Sequence, residues 1–161
     1  MSFADLVSTT DPPMVIVTMS ARGERSGCLV GFSTQCSIHP PRYLVFISNK
    51  NHTYRVAASA ETLAVHFLDE ETASHRSLAE LFGGETGDAV DKFGRCRWHD
   101  VAGAPVLDDC ERWFVGRVVE RIEPGDHQGL VLEPVEVSAG RAPGDELSFQ
   151  DARQIDPGHE P

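Results

Sequence analysis

Apolar and polar positions along this chain alternate in short runs rather than in long helical periods. Met14–Ser20 (MVIVTMS) is β-branched and bounded by turn residues, which predicts a strand. Cys28–Ile38 predicts a second strand, ended by Pro40-Pro41 because proline brings no amide to a ladder. The polar segment Ala21–Gly27 predicts the hairpin turn between them. Tyr43–Ser48 and Thr62–Leu68 predict two more strands. Trp113–Ile122 and Gly129–Val137 predict a long pair around a hairpin at Pro124-Gly125-Asp126-His127. Helical patterns are brief. Ser2–Ser8 is stopped by Asp11-Pro12-Pro13, and Asn51–Ser59 has Asn51 or Thr53 as cap. Thr72–Phe82 puts Leu78, Leu81 and Phe82 on one face. Gly83–Asp91 reads as a glycine-rich acidic loop. Strands dominate and do not alternate with helices as βαβ units, so the expected fold is mainly β, a small antiparallel barrel with short helices.

Composition narrows the function classes. A chain of 161 residues suits one domain with a sizeable core. We place that domain at residues 1–140, with 141–161 a polar, acidic C-terminal tail. Fourteen Lys+Arg against 25 Asp+Glu give a net charge of −11, which argues against nucleic acid and anionic membrane as partners. No apolar run approaches the roughly 20 residues of a membrane span. The N-terminus lacks a basic region followed by an apolar core, so no secretory signal is expected. Cys28, Cys36, Cys96 and Cys110 form no C-x-x-C pair and read as reduced thiols of a cytoplasmic protein. None of the seven histidines pairs at i, i+4 on a helix with a carboxylate in a metal-site pattern, so no metal site is expected. There is no G-x-G-x-x-G, no G-K-[ST] after a glycine-rich loop and no G-x-S-x-G elbow, which sets aside the Rossmann, P-loop and commonest hydrolase signatures.

Three segments carry candidate chemistry. Ser48-Asn49-Lys50-Asn51-His52-Thr53 opens a predicted helix with donors and a cation, suited either to an anion or to an ordinary cap with solvated side chains. Val30–Ser37 is a strand of small and hydrogen-bonding residues (Gly31, Ser33, Thr34, Gln35, Ser37). It suits close approach of a planar ligand, or else an exposed edge. His127 at a hairpin corner points into a site or into water.

Taken in order, these segments resemble the flavin reductase-like family, the FMN-binding split β-barrels of antiparallel Greek-key type. The resemblance rests on S-x-x-P-P at Ser37–Pro41, the strand and polar helix start Phe46–Thr53, V-x-x-L at Val65–Leu68, L-A-x-x-F at Leu78–Phe82, K-F at Lys92-Phe93, and G-D-H at Gly125–His127. The chain departs from the family pattern at Cys28 and Leu29, and at Gly31 and Phe32, where serine or asparagine is common. The resemblance implies FMN, or FAD, with NAD(P)H as co-substrate. It implies backbone amides of Ser33, Thr34 and Gln35 at the ring edge, and a phosphate held by Ser48, Lys50, His52 and Thr53. Val30, Gly31, Ser37, Asn49 and Phe82 complete the cofactor-binding set. Lys92 and Phe93 would reach the site across a homodimer interface, and His127 would be the catalytic residue, near the nicotinamide or the flavin edge. The implied activity is hydride transfer from NAD(P)H to flavin for a partner monooxygenase. Alternatives are a flavin-binding protein without nicotinamide activity, a deazaflavin-dependent reductase on a similar barrel, and a barrel that binds nothing.

Overall fold

The computed structural model describes residues 1–84 and 91–139, so the tail and most of the expected acidic loop lie outside the described residues. Nine strands and three α-helices follow in chain order: α1 (Phe3–Ser8), β1 (Val15–Ala21), β2 (Glu24–Val30), β3 (Ser33–Ser37), β4 (Arg42–Ser48), α2 (His52–Ala57), β5 (Thr62–Phe67), α3 (Ala73–Gly84), a 3-10 turn (Lys92–Gly94), β6 (Trp98–Val101), β7 (Ala104–Leu107), β8 (Trp113–Ile122) and β9 (His127–Val137).

Seven strands form one antiparallel sheet in the order β2-β1-β5-β8-β9-β4-β3. The two ends of that order, β2 and β3, are neighbours in sequence with only Gly31 and Phe32 between them. Two residues cannot span seven flat strands, so the sheet must curl until the end of β2 reaches the start of β3. Register shifts in β8, at Val115/Gly116 and Val118/Glu120, mark irregularities of the kind that bend a strand. The result is the mainly β, curled antiparallel barrel that the pattern predicts.

The curl gives the sheet an inside and an outside. Val15, Val17 and Met19 of β1 face inward with Cys28, Val30, Val45, Ile47, Leu63, Val65, Leu130 and Leu132. Ile16, on the opposite face of β1, packs with Leu78 and Phe82 of α3, Phe93 and Leu107. Both faces of β1 are therefore covered, which explains a run apolar on both sides. Helix α3 lies close on β2: a Cβ on Gly27 would stand 2.8 Å from Phe82, so only glycine fits. The hairpin β6–β7 covers β5 and β8 through Ala104 and Val106 against Ala64 and Val115.

The structure corrects several expected boundaries. The β1–β2 turn is only Arg22-Gly23, both at positive φ (52° and 77°), so the ladder continues through Glu24–Gly27. The single strand expected over Cys28–Ile38 is two. At Gly31-Phe32 the chain leaves β1, where Val15 faces Val30, and joins β4, where the Phe46 amide donates to the Phe32 carbonyl at 2.9 Å. His127 is not in the turn but begins β9, opposite Ser48. The β6–β7 hairpin, turning at Ala102-Gly103 with positive φ at both, was not expected.

Candidate functional site

The end of β4 and its neighbours bring the candidate residues together. Ser48 closes β4 and pairs with His127. The Asn49 amide donates to the Asp126 carbonyl at 2.9 Å, tying this turn to the β8–β9 hairpin. The Lys50 amide donates to Ser48 Oγ (3.3 Å), and the Asn51 side chain caps α2 by accepting from the Thr53 amide (2.9 Å). Several amides expected to await a ligand are thus engaged within the turn. Helix α2 is also six residues, not nine, too short for an appreciable macrodipole. The anion-attracting elements that remain are side chains, with Asn49 and Lys50 exposed and Ser48 half-buried.

His127 has a defined setting. Its Nδ1–H donates to Asp126 Oδ1 at 2.7 Å, and its ring lies against Phe32 with centroids 4.9 Å apart and planes tilted by 42°. Asp126 sits below the usual carboxylate range because of that hydrogen bond and the neighbouring charge, Lys50 included. The imidazole is 28 % exposed and Phe32 54 %. Phe32 and Asp126 were not among the expected site residues. The signal for Asp126 was the G-D-H turn itself; Phe32 had none, since its partner lies on a distant strand.

Strand β3 is an edge with only β4 beside it. Thr34 and Gln35 are exposed, and Ser33 and Ser37 half-buried. The Ser33 and Tyr43 hydroxyls are 3.0 Å apart, and Gln35 Nε2 donates to the Ser37 carbonyl at 3.2 Å. One edge of β3 therefore presents backbone groups without a bulky side chain over them.

The remaining expected residues sit elsewhere. Val30 is in the barrel interior, and Gly31 lies at the β2–β3 break, 3.3 Å in Cβ terms from Met14 Sδ. Thr53 is buried, its hydroxyl 2.9 Å from that of Ser26. His52 Nε2 donates to Glu24 Oε1 at 3.0 Å, where Arg55 also donates at 3.1 Å; the His52 hydrogen bond is the main reason Glu24 titrates low. Phe82 and Phe93 are packed edge to face under α3, a cluster separate from the Ser48–His127 surface. Lys92 is buried in the same region and donates to the carbonyls of Phe82 (3.0 Å) and Gly27 (3.3 Å). These side chains hold the protomer's own core together.

Three of the four thiols are unsuited to nucleophilic chemistry: burial pushes Cys28 and Cys96 up to about 11 and Cys110 to about 12. Among the described residues no group of three His, Cys, Asp or Glu side chains is placed to hold a metal.

A family model described as the flavin reductase like domain matches residues 7–156. This chain belongs to that family. Among curated relatives of this flavin reductase-like protein, an FMN reductase (NADH) RutF from Bradyrhizobium diazoefficiens is 30 % identical over 134 residues, 83 % of this chain and 72 % of that one. The reductase component of a 4-nitrophenol 4-monooxygenase/4-nitrocatechol 2-monooxygenase from Rhodococcus opacus is 29 % identical over 151 residues, covering 94 % and 77 %. In fold it is similar to the flavin reductase HpaC solved with NADP+, with a TM-score of 0.74 at 20 % identity over 88 % of this chain and 90 % of that one. No helix among the described residues is long and apolar enough to cross a membrane.

Proposed function

We propose that this chain is an NADH-dependent flavin reductase that uses FMN and supplies reduced flavin to a partner monooxygenase. The observation that carries this reading is the convergence of Ser48, Lys50, Asp126 and His127 at the ends of β4 and β9, next to Phe32 where the chain enters β3, in a chain of the flavin reductase-like family. FMN requires a phosphate site, a polar edge for its ring system and room for a second ring. The donor set fits: Lys50 supplies a cation and Ser48 and Asn49 polar side chains, while the free edge of β3 supplies the outward amides of Ser33 and Gln35, that of Thr34 facing β4.

Bound flavin would supply the hydride acceptor, and NADH the hydride. The protein's part is to hold and orient the two. Lys50 and Ser48 bind the phosphate. Edge amides of β3 donate to the polar rim of the ring, where they favour negative charge. The Asp126 contact keeps the His127 proton on Nδ1 and makes Nε2 an acceptor, suited to the carboxamide N–H of a nicotinamide. No side chain is required as an obligatory acid or base.

The reading includes a homodimer, since Phe3, Leu6 and Val7 of α1 and the nearby Met14 are exposed apolar side chains that a second copy would cover. It also includes the cytoplasm, a compartment suited to four free thiols. Steady-state assays with FMN or FAD against NADH or NADPH test it. Turnover is expected and should be fastest with FMN and NADH; no turnover with any pair would refute it.

A further inference from the structure

We propose that Phe32 determines how the nicotinamide ring is received, by providing an aromatic surface continuous with His127. This rests on the reductase reading above and goes beyond it to a residue that the site pattern did not include. Phe32 occupies the two-residue step at which the chain crosses from β2 to β3. Its position is fixed by its backbone, because the Phe32 carbonyl accepts from the Phe46 amide at 2.9 Å. Its side chain leans on the His127 imidazole, centroids 4.9 Å apart, and still keeps 54 % of its surface in solvent. An exposed phenyl ring alone is unremarkable. One held by its backbone against a half-buried histidine, beside the turn that carries Lys50, is a platform for a flat heteroaromatic ring.

Two rings could use such a platform, and the observations favour the smaller. The larger flavin ring has a better match in β3, where Ser33, Thr34 and Gln35 leave the strand edge uncovered by bulky side chains. Phe32 stands outside that strand. Its partner is the histidine whose Nε2 is the acceptor, which suits a ring bearing an amide substituent. Phe32 and His127 are one six-membered and one five-membered ring, so the platform they make matches a single ring better than a fused three-ring system.

The test measures binding as well as rate on the FMN-loaded protein. Calorimetric titration with NAD+ should show Phe32→Ser binding about 3- to 10-fold more weakly than the wild type, the range expected for loss of one aromatic contact. The KM for NADH should rise by a similar factor, while FMN affinity and melting temperature stay near wild type. Phe32→Tyr should restore NAD+ affinity. In spectra of the imidazole groups, the His127 signals should shift in Phe32→Ser and respond to NAD+ in the wild type. Unchanged NAD+ affinity in Phe32→Ser overturns the proposal. So does an equal loss of FMN, which would make Phe32 a flavin or folding residue, or dissociation of a dimer, which would make it an interface residue. A wild type that takes up FMN but neither binds NAD+ nor oxidises NADH overturns the reductase reading, and this inference with it.

Discussion

His66 shows what a single buried side chain contributes here. It is fully buried between β1 and β7: its Nδ1–H donates to the Ile16 carbonyl (2.9 Å), and its Nε2 accepts from the Leu107 amide (3.0 Å). Accepting from Leu107 needs the neutral ring, and burial lowers its pKa to about 4 against the opposing pull of the Ile16 carbonyl. An unfolded chain protonates this residue near 6.5, so between those values the unfolded state holds more protons. Its contribution is complete above about 6.5 and declines as pH falls towards 4, by roughly 3 kcal/mol at most. Urea unfolding at a series of pH values should show that slope in the wild type and its loss in His66→Gln. At the ligand site, Lys50→Ala should weaken FMN about 3- to 10-fold and riboflavin, which lacks the phosphate, much less. Equal loss for both would move the phosphate elsewhere. His127→Ala should slow NADH oxidation with FMN affinity largely kept; a collapse of FMN binding would make His127 a flavin ligand or structural.

At the scale of elements, legibility followed how local the determinants were. The β8–β9 hairpin, the Asn51 cap and the strand Tyr43–Ser48 were readable, because alternation and turn chemistry are written in adjacent residues. The β2–β3 break was not, because Gly31-Phe32 marks a change of partner strand rather than a change of pattern. The β6–β7 hairpin turns through Ala102 at positive φ, where a local rule would ask for asparagine or aspartate. Lys92 entered the expected site through the K-F pair of the family resemblance, and within one protomer its ammonium joins α3, β2 and the 3-10 turn through two carbonyls. The close approach of α3 to β2 makes a sharp prediction. Gly27→Val should cost about 1–3 kcal/mol by overpacking Phe82, seen as a lower melting temperature. A neutral result would mean that α3 shifts freely on the sheet.

For the molecule as a whole, the curl of one sheet does two things at once. It buries a core on both faces of β1, and it leaves the β3 edge and the Ser48–His127 surface open on its outside. The order of motifs carried the family, since each segment alone had an ordinary structural explanation. The surroundings of His127 were less legible, because folding is what brings Phe32 and Asp126 against its ring. Anaerobic rapid mixing of NADH with the FMN-loaded protein tests whether this surface passes a hydride from NADH to a flavin. The oxidised flavin absorption should bleach in a single turnover, at a rate that saturates with NADH and falls in His127→Ala. Flavin that stays oxidised while bound would contradict it.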